Sequence, residues 1–329
     1  MRSIPDIVSY REKLLFSDFE YVQIDSEKNQ TIGIPRVLEF YNSMPFWKTF
    51  FRSLGYNVYI STSSSYKLFE SGLGSVSSDT ICLPAKVVHG HILDLIANKV
   101  DRIFNPLVLK VLKTNKSSEN SWMCPVIQGY SEIVRINDEP ERKHGITYDN
   151  PPFQFESLKS RNNQIAKYAK ERLGIKEKIA MKAIENADRA TQMFQNELEN
   201  KSQEVIDSLT GENDFAVIFV GRPYHDDHFI NHDLSSHFTR LGIPVLEVNA
   251  LPGIDKIELK GVRVDTNNEF HTRVFSAALT ALKNPKLELV QIVSFGCGHD
   301  AIISDELERM LKEYGNKMPL ILKLDEGEN

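Results

Sequence analysis

Phe215-Ala216-Val217-Ile218-Phe219-Val220-Gly221-Arg222-Pro223-Tyr224-His225 decides the fold. Six apolar residues follow one another with no polar alternation. Such a run suits a strand buried on both faces, as in parallel sheets whose crossover helices cover both sides. The turn formers Gly221 and Pro223 end it. Downstream, residues 234–241 read as a helix and 244–248 as a strand. A helix at 270–283, a strand at 287–295, a helix at 301–314 and a strand at 319–324 follow. Upstream the alternation repeats. Residues 31–35 read as a strand and 45–54 as an aromatic-rich helix ending at Gly55. Residues 56–60 read as a strand, 66–71 as a short helix and 102–104 as a third strand. Alternating strands and helices predict largely parallel sheets covered on both faces.

The expected fold is therefore α/β, with two domains joined by a helical connector. Residues 1–29 read as an N-terminal extension and 30–150 as the first α/β domain. Residues 151–210, helical and charged, form the connector, and 211–329 the second domain. A length of 329 residues fits two domains better than one. The stretches 110–120 and 138–152 read as loops.

Net charge is −6, with 41% hydrophobic and 26% charged residues. That balance gives no electrostatic reason to expect nucleic acid or an anionic membrane as partner. No apolar run reaches the roughly 20 residues of a membrane span. Residues 1–6 lack the apolar core of a signal peptide. Three cysteines, an odd number, argue against a disulfide framework. The expectation is a cytoplasmic protein with reduced thiols.

Each cysteine stands where the chain turns into a helix. Cys82-Leu83-Pro84 precedes an apolar helical pattern, and proline is tolerated in a first helical turn. Cys124-Pro125 and Cys297-Gly298-His299-Asp300 repeat the setting. The positive end of the helix dipole favours a thiolate over a thiol. A lone cytosolic cysteine is most often a small buried hydrophobe. Three in one setting point to a shared anionic, thiophilic ligand, either iron–sulfur or zinc. The absence of any C-x-x-C pair disfavours a small zinc knuckle.

Other polar residues carry weaker signals. His89 and His91 project to different faces of one helix, so packing or hydrogen bonding is their expected role. His299 lies two residues after Cys297 and is a candidate to line its site. His225, His228 and His232 lack the spacing of a zinc protease motif and read as exposed loop residues. Lys86, Arg222 and Arg36 sit near turns and are candidates for an anionic substrate, with surface ion pairs as the blander reading. The chain has neither a G-x-x-x-x-G-K-[ST] phosphate loop nor a G-x-S-x-G elbow.

One set of motifs runs in order along most of the chain. It comprises Ile32-Gly33-Ile34-Pro35-Arg36-Val37-Leu38, Pro45-Phe46-Trp47, Cys82-Leu83-Pro84-Ala85-Lys86 and His89-Gly90-His91. Phe104-Asn105-Pro106, Cys124-Pro125, Gly221-Arg222-Pro223-Tyr224-His225 and Phe295-Gly296-Cys297-Gly298-His299-Asp300-Ala301 complete it. As a set these motifs resemble the activase-related family of 2-hydroxyacyl-CoA dehydratases. The set is similar to the cluster-bearing subunits of 2-hydroxyglutaryl-CoA dehydratase and to double-cubane-cluster proteins. The resemblance implies two flavodoxin- or Rossmann-like domains with an iron–sulfur cluster between them, a 4Fe-4S cluster or a double cubane. It implies that Cys82, Cys124 and Cys297 are the ligands. It also implies low-potential electrons from a separate ATP-dependent activase, spent on reductive or radical chemistry on an acyl-CoA. In the dehydratase reaction a 2-hydroxyacyl-CoA thioester is transiently reduced so that its hydroxyl can leave. A second dehydratase-like subunit, or a second copy of this chain, is the other implied partner. The polar insert at 110–120 has no counterpart in the family pattern, which leaves Cys124 the least anchored ligand. Three cysteines leave one iron of a cubane for His299, another side chain, water, a substrate atom or a bridging sulfide. The competing readings are an accessory or electron-relay subunit and a zinc-stabilised structural module.

Overall fold

A computed structural model describes residues 4–295 and 297–327. Gly296, part of the motif around Cys297, lies outside the described residues, as do the outermost residues of the first and last sequence segments.

Helix α1 spans Ile7–Leu15. Strand β1 (Thr31–Ile34), helix α2 (Phe40–Ser53) and strand β2 (Asn57–Ile60) follow. Next come α3 (Tyr66–Gly72), α4 (Leu83–Ala97), β3 (Arg102–Phe104), β4 (Leu107–Lys110) and α5 (Pro125–Asn137). The short α6 (Pro140–His144), β5 (Thr147–Asp149) and β6 (Pro152–Gln154) lead to α7 (Leu158–Leu173) and the long α8 (Glu177–Ser208). The remainder runs β7 (Ala216–Val220), α9 (Leu234–Arg240), β8 (Val245–Glu247), α10 (Glu269–Lys283), β9 (Leu287–Ser294), α11 (Gly298–Gly315) and β10 (Leu320–Leu324).

The chain divides into two compact units. The first comprises Leu15–Leu112 and Met123–Phe194, and the second residues 4–14, Lys113–Trp122 and 195–327. The first holds a sheet of order β2-β1-β3-β5, with β4 and β6 paired beside it. The second holds a sheet of order β10-β9-β7-β8. Among the described residues every strand pairing in both units is parallel. Read from the second strand of each unit, both four-stranded sheets have the order 2-1-3-4, the flavodoxin-type arrangement of a Rossmann-like α/β fold. As its unbroken apolar sequence requires, β7 is buried along its whole length.

The core of the first unit is aromatic. Trp47 and Phe51 of α2 lie 4.6 and 4.9 Å from Phe104 of β3, and Trp47 stacks on Phe153 at 5.6 Å. The second unit closes around Val217, Phe219, Val245, Val290 and Ile292, with Val8 of α1 packed among them. The backbone N–H of Val245 donates to the Pro5 carbonyl at 3.0 Å, so the residues before α1 join the edge of β8.

Three sequence expectations change. Helix α2 starts at Phe40, before Pro45, which lies inside it. Short bonds from Phe40, Tyr41 and Asn42 to carbonyls three residues back build its first turn. Burial of Phe40, Tyr41 and Met44 pulls that turn into the helix. The expected loop at 138–152 contains α6 and β5, and the 107–110 stretch is strand β4. These three- and four-residue strands are too short to show a period, and only their partners in the sheet define them. Finally, α1 replaces the patternless N-terminal extension over Ile7–Leu15.

Candidate functional site

Right-handed crossovers place helix N-termini at the carboxyl ends of parallel strands, where α/β proteins bind ligands. All three cysteines occupy that position. Cys82 is the N-cap of α4 (φ −64°, ψ 149°) and Cys124 the N-cap of α5 (φ −66°, ψ 151°), nearly the same backbone geometry. Each is followed by a proline in the first turn. Cys297 is the N-cap of α11. In none of the three does the sulfur cap its own helix by a hydrogen bond. None is in a disulfide; Cys124 is buried and the other two are half-buried.

In the first unit α4 and α5 lie on the same face of the sheet, and a buried polar link ties them. His89 Nδ1 lies 2.6 Å from Asp138 Oδ2 and Nε2 lies 3.0 Å from the Tyr130 hydroxyl. Burial first, then the charges of Cys82 and Asp138, push the Tyr130 hydroxyl well above its usual range. His91 points the other way, with Ser61 and Ser64 hydroxyls 2.8 and 3.0 Å from its two nitrogens. Both histidines are thus satisfied packing residues on opposite sides of α4, as helical spacing predicts. Between them, Gly90 lets α3 approach, since a Cβ there would lie 2.1 Å from the Leu68 carbonyl oxygen. Lys86 is buried one turn after Cys82. At the switch point between β1 and β3 a cavity of about 20 Å³, lined in part by Leu38, Asn105, Tyr130 and Ser131, has room for one water.

In the second unit the switch point lies between β7 and β9. Gly221 closes the turn after β7, because a Cβ there would meet His225 Nδ1 at 2.6 Å. The Arg222 backbone N–H donates to His225 Nδ1 at 3.2 Å, which leaves Nε2–H to donate to Ser294 Oγ, also at 3.2 Å. Burial and the Arg222 charge push His225 down to about 3, so it stays neutral. The Arg222 guanidinium is buried. Its Nη1 lies 2.8 and 2.9 Å from the two Asp300 carboxylate oxygens, and Nη2 lies 3.3 Å from Cys297 Sγ. Burial opposes the charged guanidinium, yet Tyr224, Asp300 and Cys297 together raise its pKa further. Burial also opposes the Asp300 carboxylate, but Arg222 and the Ser294 N–H hold its pKa low. His299 is exposed, and its ring meets buried His271 edge-on at 5.5 Å. Burial, then Arg222 and His299, push His271 down to about 3. Two buried nitrogens here, Arg222 Nε and His271 Nε2, make no hydrogen bond.

The structure therefore gathers Arg222, His299 and Cys297 at one switch point, and Lys86, Cys82 and Cys124 at helix starts in the other unit. His225 departs from the exposed loop position expected of it, because the Gly221 turn folds it beneath the strand ends. His228 and His232 are half-buried. His228 lies 3.6 Å from Glu12, and His232 Nε2 lies 2.9 Å from the Asp325 carbonyl. Sequence reading missed Asp300 and His271 as site residues. Asp300 carried one signal, its place three residues after Cys297 in a first helical turn. His271 carried none, being on a different helix.

Fold and site together define a flavodoxin-type α/β protein with a cysteine at the N-terminus of three of its helices. Residues 31–251 match the family described as the CoA enzyme activase uncharacterised domain, and the chain belongs to that family. The membership associates it with CoA enzyme activation. No curated protein matches the chain. Among solved structures it is similar to the SBP FpvC in complex with Ni2+ from P. aeruginosa. That likeness has 10% identity over 90% of this chain and 87% of that one, with a TM-score of 0.27. It is also similar to glucosamine-6-phosphate deaminase from Thermotoga maritima, at 11% identity over 98% and 84%, with a TM-score of 0.21. At such TM-scores neither likeness bears on fold or function. Among the described residues no helix is long and apolar enough to cross a membrane.

Proposed function

We propose that the chain is an iron–sulfur protein of the 2-hydroxyacyl-CoA dehydratase type, with Cys82, Cys124 and Cys297 as cluster ligands. It takes low-potential electrons from an ATP-dependent activase for reductive chemistry on an acyl-CoA. The observation that carries this reading is the shared position of the three cysteines. Each is the N-cap residue of a helix, and in none does the sulfur serve as the cap. The donor set fits the group, since soft thiolates suit iron–sulfur clusters. The buried Arg222 guanidinium, whose Nη2 lies 3.3 Å from Cys297 Sγ and whose Nε has no partner, fits it as well, because hydrogen-bond donors around ligating sulfurs tune such sites.

When bound, the cluster, a 4Fe-4S or a double cubane, supplies one-electron chemistry at low potential. The chain's own residues supply the rest. The link from His89 to Asp138 and Tyr130 keeps the starts of α4 and α5 in register, and hence Cys82 and Cys124. The pair of Arg222 and Asp300 fixes the setting of Cys297. Lys86 and His299 are the remaining candidates for contact with an anionic substrate. The partners are the activase and a CoA-dependent enzyme or subunit.

The test is anaerobic reconstitution with iron and sulfide, followed by iron analysis of Cys82→Ala, Cys124→Ala and Cys297→Ala. Each substitution should cut bound iron sharply, since each removes a direct ligand. Unchanged iron in all three variants would overturn the assignment. Zinc without iron or sulfide would mark a structural module instead. Turnover of a 2-hydroxyacyl-CoA with activase and ATP distinguishes a catalyst from a relay.

A further inference from the structure

Arg222 is anchored at both ends. Its backbone N–H is tied to His225, and its guanidinium to both oxygens of Asp300. Asp300 is itself held by the Ser294 N–H at 3.0 Å and by its place in the first turn of α11. The guanidinium cannot swing away, and its Nη2 stands 3.3 Å from Cys297 Sγ. A buried cation requires anionic partners, and here a carboxylate and a sulfur share one guanidinium.

We infer that Arg222, aimed by Asp300, is a positioning residue that sets the charge at the Cys297 sulfur and so the reduction potential of the group this sulfur holds. The inference rests on the reading that Cys297 is a cluster ligand. A reduced cluster carries one more negative charge than an oxidised one. A cation and an N–H donor at its sulfur stabilise the reduced form and raise the potential, as hydrogen bonds to cluster sulfurs do. Asp300, bound at Nη1 rather than at Nη2, offsets part of that charge. The two residues therefore act with opposite sign, although they form one ion pair.

The experiment is an anaerobic redox titration of the reconstituted protein, followed by electron paramagnetic resonance, with iron and sulfide measured on the same samples. Arg222→Gln removes the cation and the donor at the Nη2 position, since the amide nitrogen ends two bonds short of it, and should shift the potential to more negative values. Asp300→Asn keeps an oxygen for Nη1 but removes the opposing charge, and should shift it to more positive values. Should either single change leave a lone buried charge that prevents folding, the double variant R222Q/D300N avoids that problem. It should lower the potential, because the lost N–H is the one that meets the sulfur directly. Iron content at the level of the parent protein is expected in every folded variant. Equal potentials, or shifts of one sign in both single variants, with iron intact, would overturn the inference alone. A parent protein that binds no iron would overturn the cluster reading and this inference with it.

Discussion

His91 is fully buried between two serine hydroxyls, and burial first, then the Arg36 charge, pushes it down to about 3. A histidine in an unfolded chain titrates near 6.5. The folded value lies below the unfolded one, so the unfolded chain binds the proton first as pH falls. The stability contributed by neutral His91 is therefore complete above about pH 6.5 and is lost as pH drops toward 3. The loss runs at up to about 1.4 kcal/mol per pH unit. His225, also pushed down to about 3, adds to the same window. His91→Gln should cost about 1 kcal/mol at pH 7 through a lost hydrogen bond. It should also show a smaller drop in urea midpoint between pH 7 and pH 5 than the parent. Equal drops in both proteins would mean that His91 titrates normally in the folded state.

Helices α3 and α4 meet through glycines. A Cβ on Gly90 would strike the Leu68 carbonyl oxygen at 2.1 Å, and one on Gly72 would strike the Gly90 nitrogen at 2.3 Å. Neither obstacle is a flexible side chain, so the helices would have to part. Gly90→Ala should destabilise by at least the roughly 1–3 kcal/mol typical of overpacking, read by chemical denaturation. Because α4 also carries Cys82, the same change should reduce bound iron. Gly129 on α5 is the contrasting case, with nothing within 4 Å of its added Cβ. Gly129→Ala should stabilise by about 0.4–1 kcal/mol, since it restricts the unfolded chain and strains nothing. A destabilised Gly129→Ala protein would contradict the open space at that position.

Each unit has its own sheet and its own core, while α8 contributes residues to both. Phe51→Ala empties part of the first core, where Phe51 is fully buried against Phe104. Such a change costs about 3–5 kcal/mol. In calorimetry it should lower one unfolding transition and leave a second near its original temperature, as independent cores require. A single transition displaced as a whole would mean that α8 couples the units into one cooperative block.

The local pattern of the chain was enough to determine its class and the placement of its thiols. Residues 216–220 are apolar without interruption, a run that suits a strand covered on both faces. The three cysteines stand before prolines or a glycine at helix starts, and all three are N-caps in the folded protein. These features were legible because helix and strand periods, and the chemistry of first turns, act over a few neighbouring residues. Strand β5 was not legible, since three residues show no period and its identity comes from pairing with β3. Nor were the site's polar links, because His89 meets Asp138 across 49 residues and Arg222 meets Asp300 across 78. Their partners are chosen by crossover connections and by the order of strands in a sheet. Only the folded chain brings those side chains into a medium dry enough for each polar group to require its partner.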